Sequence, residues 1–516
     1  MTANAVVTPH HLSAAAGRDI LEAGGNAVDA AVAAIAAQGV VAPETCGIGG
    51  DLFALIHAPG WEKPRALNSS GRAGSGVAAA ELRSSGAGSI PADHPAAVTI
   101  PGCVDGMETL IAELGRLTLK QVLAPAIGLA RDGFAVSTEQ ERAFSRQADV
   151  YSANPAVSSF YPNGEPVRRG DIVVRGDLAG TLADIAENGR SAFYEGQPAT
   201  DIVESLGGSI TFEDMRSSQA TWIEPIGTRV AASTAWTIPP NSQGYLGPAT
   251  LAVFEMLDPP GDPDDPLRWH LLIEAYRCLA WERDDLVADS DHAALPADLL
   301  LDKDRLERAA ASVERERTGV WPRIGPSAST AYLCAADADG LAVSMIQSNY
   351  RGTGSPFGAA RSGFLLQDRG MGFTLMPGHP NELAPGKRPL HTLSPTLWTE
   401  HDRPRWILGT RGGSVQPQLI AQMASSAILS GEDLNRAQAR PRWTVSEFGP
   451  GTGSGPTLEP GFHAAGVADL EARGHDLTVL AGPQPGWGPI SIIELDGEIR
   501  RAVADPRVDT TSALIF

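Results

Sequence analysis

The run of apolar and polar positions divides the chain into helical and extended stretches. Residues 9–23 read as a helix closed by Gly24-Gly25, the usual C-terminal stop. Asn26 then caps a second helix, with Asp29 in its first turn beside the positive helix end. That helix, "NAVDAAVAAIAAQG", is apolar nearly all round, which predicts burial on every side. A glycine-rich turn and a strand follow in "VVAPETCGIGGDLFALIHAPG". Further helices are expected over residues 118–134 and 265–287, with the polar loop "IPPNSQGYLG" between them. Residues 330–336 and 341–348 form a hairpin around the turn signal Asp337–Gly340. "SGFLLQDRGMGF" predicts one more strand, "PRWILGTRGGSVQPQLIAQMASSAIL" a strand, a glycine turn and a helix, and "GPISIIEL" a late strand. Helices and strands come in blocks without steady βαβ alternation, so an α+β layered fold is favoured over a doubly wound one.

Composition narrows the function classes. The 516 residues are 43% hydrophobic and 20% charged, enough for a large core. The net charge of −21 leaves no basic excess to neutralise phosphates and argues against nucleic-acid binding. Cys46, Cys103, Cys278 and Cys334 are far apart, and no C-x-x-C or H-E-x-x-H occurs, so neither a disulfide framework nor a zinc site is expected. In "CGIGGDLF", Leu52 stands where a dinucleotide fingerprint needs its third glycine, and no G-x-x-x-x-G-K-[ST] exists. The first twenty residues lack a signal-peptide pattern and no run of 18 apolar residues occurs, so the expected location is the cytoplasm.

One feature of the hairpin is odd. Its first strand starts abruptly on Thr330 after the proline- and serine-containing "WPRIGPSAS". A cut before Thr330 would make it a new N-terminus. Nine ordered segments place that feature in a wider pattern: "AGGNAVDAAVAA", "GIGGDLFALI", "GLARDGF", "PPNSQG", "HLLIEAYRCLAWERD", "STAYLCAADADGLAVS", "GKRPLHTLSPT", "GTRGGSVQPQ" and "ADPRVD". In this order they resemble the γ-glutamyltransferases and their acylase relatives, within the N-terminal nucleophile hydrolases. The resemblance implies a four-layer αββα sandwich and no cofactor. It also implies self-cleavage between Ser329 and Thr330 into segments 1–329 and 330–516 that stay associated; it allows a homodimer of that pair.

The chemistry wants those residues. A free α-amine has an ordinary pKa of about 7.7–8.0, so cutting before Thr330 would put a base and a hydroxyl nucleophile on one residue. The resemblance assigns Gly412 and Gly413 to the oxyanion hole, where backbone N–H groups must approach closely. It assigns Ser348 as a hydroxyl that hydrogen-bonds the nucleophile, and Arg72 as the guanidinium that grips a substrate carboxylate through paired hydrogen bonds.

Departures from the family pattern bear on the substrate. The acidic residue that holds an α-ammonium in γ-glutamyltransferases aligns with Gly372, and the amide position before it is Arg369. A paired serine motif becomes His391-Thr392, and Tyr350 replaces an expected asparagine, with Asn349 beside it. An α-ammonium facing Arg369 without a carboxylate would be repelled. These five positions resemble the oxamate amidohydrolase-like and cephalosporin acylase-like branch. The leading reading is a γ-glutamyltransferase-like enzyme working by hydrolysis or by transfer to an amine. The alternatives are a specialised oxamate or glutaryl-type amidohydrolase, and an uncleaved relative that binds without catalysing.

Overall fold

The strand Asp51–His57 is buried along its whole length. Phe53 and Leu55 join one apolar cluster, while Leu52, Ala54 and Ile56 join another. Successive side chains of a strand point to opposite faces, so a strand apolar at every position needs cover on both. The strand Ala331–Ala336 divides in the same way, with Tyr332, Cys334 and Ala336 in the cluster of Phe53 and Leu333 and Ala335 in the other.

The computed structural model describes residues 3–319, 330–445 and 455–516. Two antiparallel sheets form its centre. The first runs Ser512–Ile515, Ala5–Thr8, Ala331–Ala336, Ala342–Ser348, Asp51–His57, Arg65–Ser69, Thr221–Ile223. The second runs Ile499–Val503, Ile490–Leu495, Arg403–Thr410, Thr396–Glu400, Ser233–Thr237, Ile226–Val230. Phe53, Tyr332 and Ile346 of the first meet Leu397, Ile407 and Ile493 of the second in the core between the sheets. His11–Glu22 and Ala27–Val41 cover the outer face of the first sheet, and Leu119–Asp132 packs on Ala27–Val41. Leu246–Met256 and Gln416–Ala424 cover the second, and Pro266–Ala280 packs on Leu246–Met256. The layers are therefore helix, sheet, sheet, helix, the αββα sandwich of an N-terminal nucleophile hydrolase.

Local chemistry explains the elements. Asn26 caps its helix as expected, accepting from the Val28 and Asp29 N–H groups, while Asp29 accepts from Asn26 N–H. Asp337 shapes the hairpin turn by accepting from Asp339 and Leu341 N–H, and its second oxygen takes Ala27 N–H at 2.9 Å, tying the turn to that helix. Two expectations change. The helix over 265–287 is broken into Pro266–Ala280 and Arg283–Leu286, and the buried Arg283 side chain after the break reaches Gln243. The strand in "SGFLLQDRGMGF" is only Phe364–Leu365, because the next backbone N–H groups, of Leu366 and Gln367, bond to the loop carbonyls of Phe357 and Gly49. Residues 320–329, including Ser329, lie outside the described residues. Among the described residues no helix is long and apolar enough to cross a membrane.

The two sheets touch closely where Tyr332 packs on Gly409; a Cβ at 409 would lie 2.3 Å from the ring. Gly409→Val should therefore overpack the inter-sheet core and lower stability by about 1–3 kcal/mol, read as a lower denaturant midpoint.

Candidate active site

Thr330 immediately precedes the strand Ala331–Ala336, and Ser348 ends the strand Ala342–Ser348. Gln347 pairs with Ala331, which brings the two hydroxyl residues to the same end of the hairpin. Parity turns both side chains inward, on the same strand faces as Tyr332 and Ile346. Thr330 Oγ1 donates to Ser348 Oγ at 3.2 Å, and both residues are fully buried. Ser348 Oγ also accepts from Tyr350 N–H at 2.8 Å.

Tyr350 has φ of +77°, in the left-handed region that a bulky side chain seldom adopts. Its ring lies 4.1 Å from the centre of the Arg369 guanidinium, an attractive cation–π distance. Arg369 is 0% exposed. Its Nη1 donates to Thr392 Oγ1 at 3.1 Å, and its Nε lies 4.0 Å from Asp51. Nε and Nη2 have no hydrogen-bond partner among the described residues. Burial lowers the Arg369 pKa and the Asp51 charge opposes that; a guanidinium stays protonated in such a site.

Asp51 is the anion of this group. It faces Ser348 across the strand pair. One oxygen accepts from Gly71 N–H at 2.8 Å and Gln367 Nε2 at 2.9 Å, and the other contacts His391 Nε2 at 2.9 Å. Leu393 N–H donates to His391 Nδ1 at 3.3 Å, which puts the ring proton on Nε2. Burial, and then the Arg369 charge, lowers the His391 pKa to about 3, so the ring is neutral. His391 thus stands behind Asp51 with both nitrogens engaged.

The remaining candidates are spread around this centre. Gly412 and Gly413 follow the strand Arg403–Thr410 with φ of +127° and +58°, conformations that favour glycine. Gly413 O and Thr392 O both accept from Gln243 Nε2, and Thr392 Oγ1 accepts from Arg369, which sets the turn beside the Arg369 and Tyr350 group. Arg72 is about one-third exposed and stands apart from the group around Thr330, with Nη1 3.0 Å from Gly386 O and 3.4 Å from Asp289. A Cβ at Gly372 would sit 2.7 Å from Leu390 O, so no acidic side chain fits there without displacement. The sequence reading missed Asp51, Gln367, Gln243 and Arg283. Asp51 did carry a signal: an acid heading a strand that is apolar almost throughout.

A buried His270, Glu274 and His475 cluster has metal-ligand spacing. Most of its ligand atoms are already used, and His475 Nδ1 is the one ring nitrogen of the cluster without a partner among the described residues. His270 Nδ1 and His475 Nε2 are 2.8 Å apart, and Glu274 accepts from Arg277 Nη1, Thr318 Oγ1 and Gly319 N–H. With a guanidinium on the carboxylate, the donor set suits a polar clasp better than a divalent cation.

A buried hydroxyl opening a central strand of an αββα sandwich is the architecture of an N-terminal nucleophile amidohydrolase, and the comparisons with known proteins agree. The family model described as Gamma-glutamyltranspeptidase matches residues 13–515, and the chain belongs to that family. It is 35% identical over 515 residues to the Glutathione hydrolase-like YwrD proenzyme of Bacillus subtilis, covering 98% of both chains. It is 34% identical over 518 residues to the Oxamate amidohydrolase proenzyme of Klebsiella pneumoniae, covering 98% of this chain and 97% of the relative. Among solved structures, the cephalosporin acylase from Bacillus halodurans superposes with a TM-score of 0.91 at 31% identity, covering 99% of this chain and 96% of that one. The protein is therefore an enzyme, a glutathione hydrolase-like amidohydrolase.

The neutral His391 makes a pH prediction. Its folded pKa of about 3 lies below the ordinary 6.5, so between those values the unfolded chain holds a proton that the folded chain lacks. The stability contributed by the neutral ring is whole above pH 6.5 and is lost as pH falls toward 3. His391→Asn should make the slope of stability against pH shallower by up to about 1.4 kcal/mol per pH unit in that window, read by denaturant titrations.

Proposed function

We propose that the chain is cut between Ser329 and Thr330, and that Thr330 then attacks amides whose acyl group carries a carboxylate but needs no α-amino group. The new Thr330 amine takes the proton from Oγ1, and Oγ1 adds to the amide carbonyl carbon. The oxyanion is met by the Gly412 and Gly413 amides, each worth roughly 3–4 kcal/mol where such donors have been removed. The C–N bond breaks, the leaving amine takes the proton from the Thr330 ammonium, and an acyl-threonine ester remains. Water, or an acceptor amine, attacks the ester and frees Thr330. Ser348 accepts from Thr330 and is itself steadied by Tyr350 N–H.

The observation that carries the substrate reading is Arg369. A fully buried guanidinium with unpartnered Nε and Nη2 beside the Tyr350 and Ser348 group is an anion receptor in waiting. Asp51 already has three donors and is 4.0 Å away, so a substrate carboxylate can complete the guanidinium's hydrogen bonds. Gly372 leaves no room for the acid that would hold an α-ammonium. The oxamate amidohydrolase and cephalosporin acylase names among the relatives point the same way. Arg72, about one-third exposed, is assigned to the outer end of the acyl pocket. His391 and Thr392 serve as its wall, Thr392 through Arg369 and His391 through Asp51.

Three measurements test the reading. Denaturing electrophoresis with N-terminal sequencing should find two segments, the smaller beginning at Thr330. Thr330→Ala should stay uncut and lose turnover at least about a thousandfold; full activity from an intact chain would overturn the mechanism. On mature enzyme, kcat/KM for glutaryl-p-nitroanilide should exceed that for γ-glutamyl-p-nitroanilide by about tenfold or more, since an unpaired like charge costs at least as much as one lost polar contact. The reverse preference would overturn the substrate assignment.

A further inference from the structure

The loop after the strand Ser233–Thr237 carries Gln243, a fully buried side chain to which the sequence reading gave no role. Its Nε2 donates to Gly413 O at 3.1 Å and to Thr392 O at 3.2 Å. Its Oε1 accepts from Arg283 Nη1 at 3.0 Å. The amide can face only one way. A guanidinium only donates and a backbone carbonyl only accepts, so oxygen must face Arg283 and nitrogen must face the two carbonyls.

We infer that Gln243, aimed by Arg283, is a positioning residue for the oxyanion turn. Gly412 and Gly413 both have positive φ, and a glycine pair has several backbone orientations open to it. Within the turn, Val415 N–H holds Gly412 O and Gln416 N–H holds Gly413 O, both local bonds that move with the turn. Gln243 adds a bond from outside. It ties the Gly413 carbonyl to the loop that carries Thr392, and so fixes the plane of the Gly413–Ser414 peptide, which directly follows the peptide that carries the Gly413 N–H. The Thr392 loop does not depend on this side chain, because Gln243 N–H donates to His391 O and His391 N–H donates to Asn241 O. Loss of the Gln243 amide should therefore loosen the oxyanion turn while the wall around Arg369 keeps its place.

The inference rests on the proposed roles of Thr330, Gly412 and Gly413. Its test uses the full chain, with rates expressed per mature Thr330 N-terminus. Gln243→Glu keeps the shape and the Arg283 contact but cannot donate to the carbonyls. Gln243→Met is the second variant should the first fail to fold. Both should lower kcat on a glutaryl amide roughly 10- to 100-fold while KM and the binding of free glutarate change less than about threefold. Wild-type kcat in the variants would overturn the inference. So would glutarate binding that weakens in step with kcat, since that would mark general damage to the site. Thr330→Ala separates the two layers: if it keeps turnover, the nucleophile assignment fails whatever Gln243 does; if it is inactive while both Gln243 variants are normal, only the Gln243 inference fails.

Discussion

The site is organised by one buried carboxylate. Asp51 sits at the head of a central strand, with no exposure, and must be compensated where it lies. Backbone and amide donors from Gly71 and Gln367, the neutral His391 and the nearby Arg369 supply that compensation. Those partners come from three separate stretches of chain, around Gly71, Gln367–Arg369 and His391. Removing one partner of such a buried charge group typically costs about 3–5 kcal/mol, because the remaining charge is left uncompensated. The carboxylate therefore pins three loops to one strand end, and Ser348 lies directly across that strand end.

The two sheets provide the second constraint. The strand Ala331–Ala336 is covered on both faces, so a slip by one residue would exchange its two apolar sets and take the Tyr332 ring away from Gly409. Register then fixes the direction of the Thr330 side chain, and the partner strand fixes Ser348 opposite it. Tyr332 against Gly409 brings the second sheet to contact distance, and with it the turn of Gly412 and Gly413. Thr330, Ser348 and the turn of Gly412 and Gly413 are thereby held by rigid strands, the arrangement that the proposed catalytic geometry needs.

Much of this was legible in the chain. The capped helix at Asn26, the hairpin around Asp337–Gly340 and the glycine turn after Gly409 appear where local pattern puts them, because each is set by neighbours a few residues away. The late break near residue 281 was not legible. Nothing in helical spacing reveals that Arg283 will turn inward to meet Gln243, forty residues earlier. The strand expected after Ser362 shrinks to two residues because its N–H groups find loop carbonyls, a choice made by distant backbone. Arg369 is legible as a cation facing the α-ammonium position, but its anion is not, since Asp51 lies 318 positions away and looks like part of a glycine turn.

Sequence alone determined the layered class, the family, and which residue opens the central strand, since these follow from periodicity, turn chemistry and ordered motifs. Tertiary structure alone decided which charges compensate one another and which side chain bonds the Gly412–Gly413 turn from outside. The physical reason is range. Propensity and capping act within a turn or two of the chain, whereas a buried charge or amide takes its partners from whatever the packed core brings within about 3 Å.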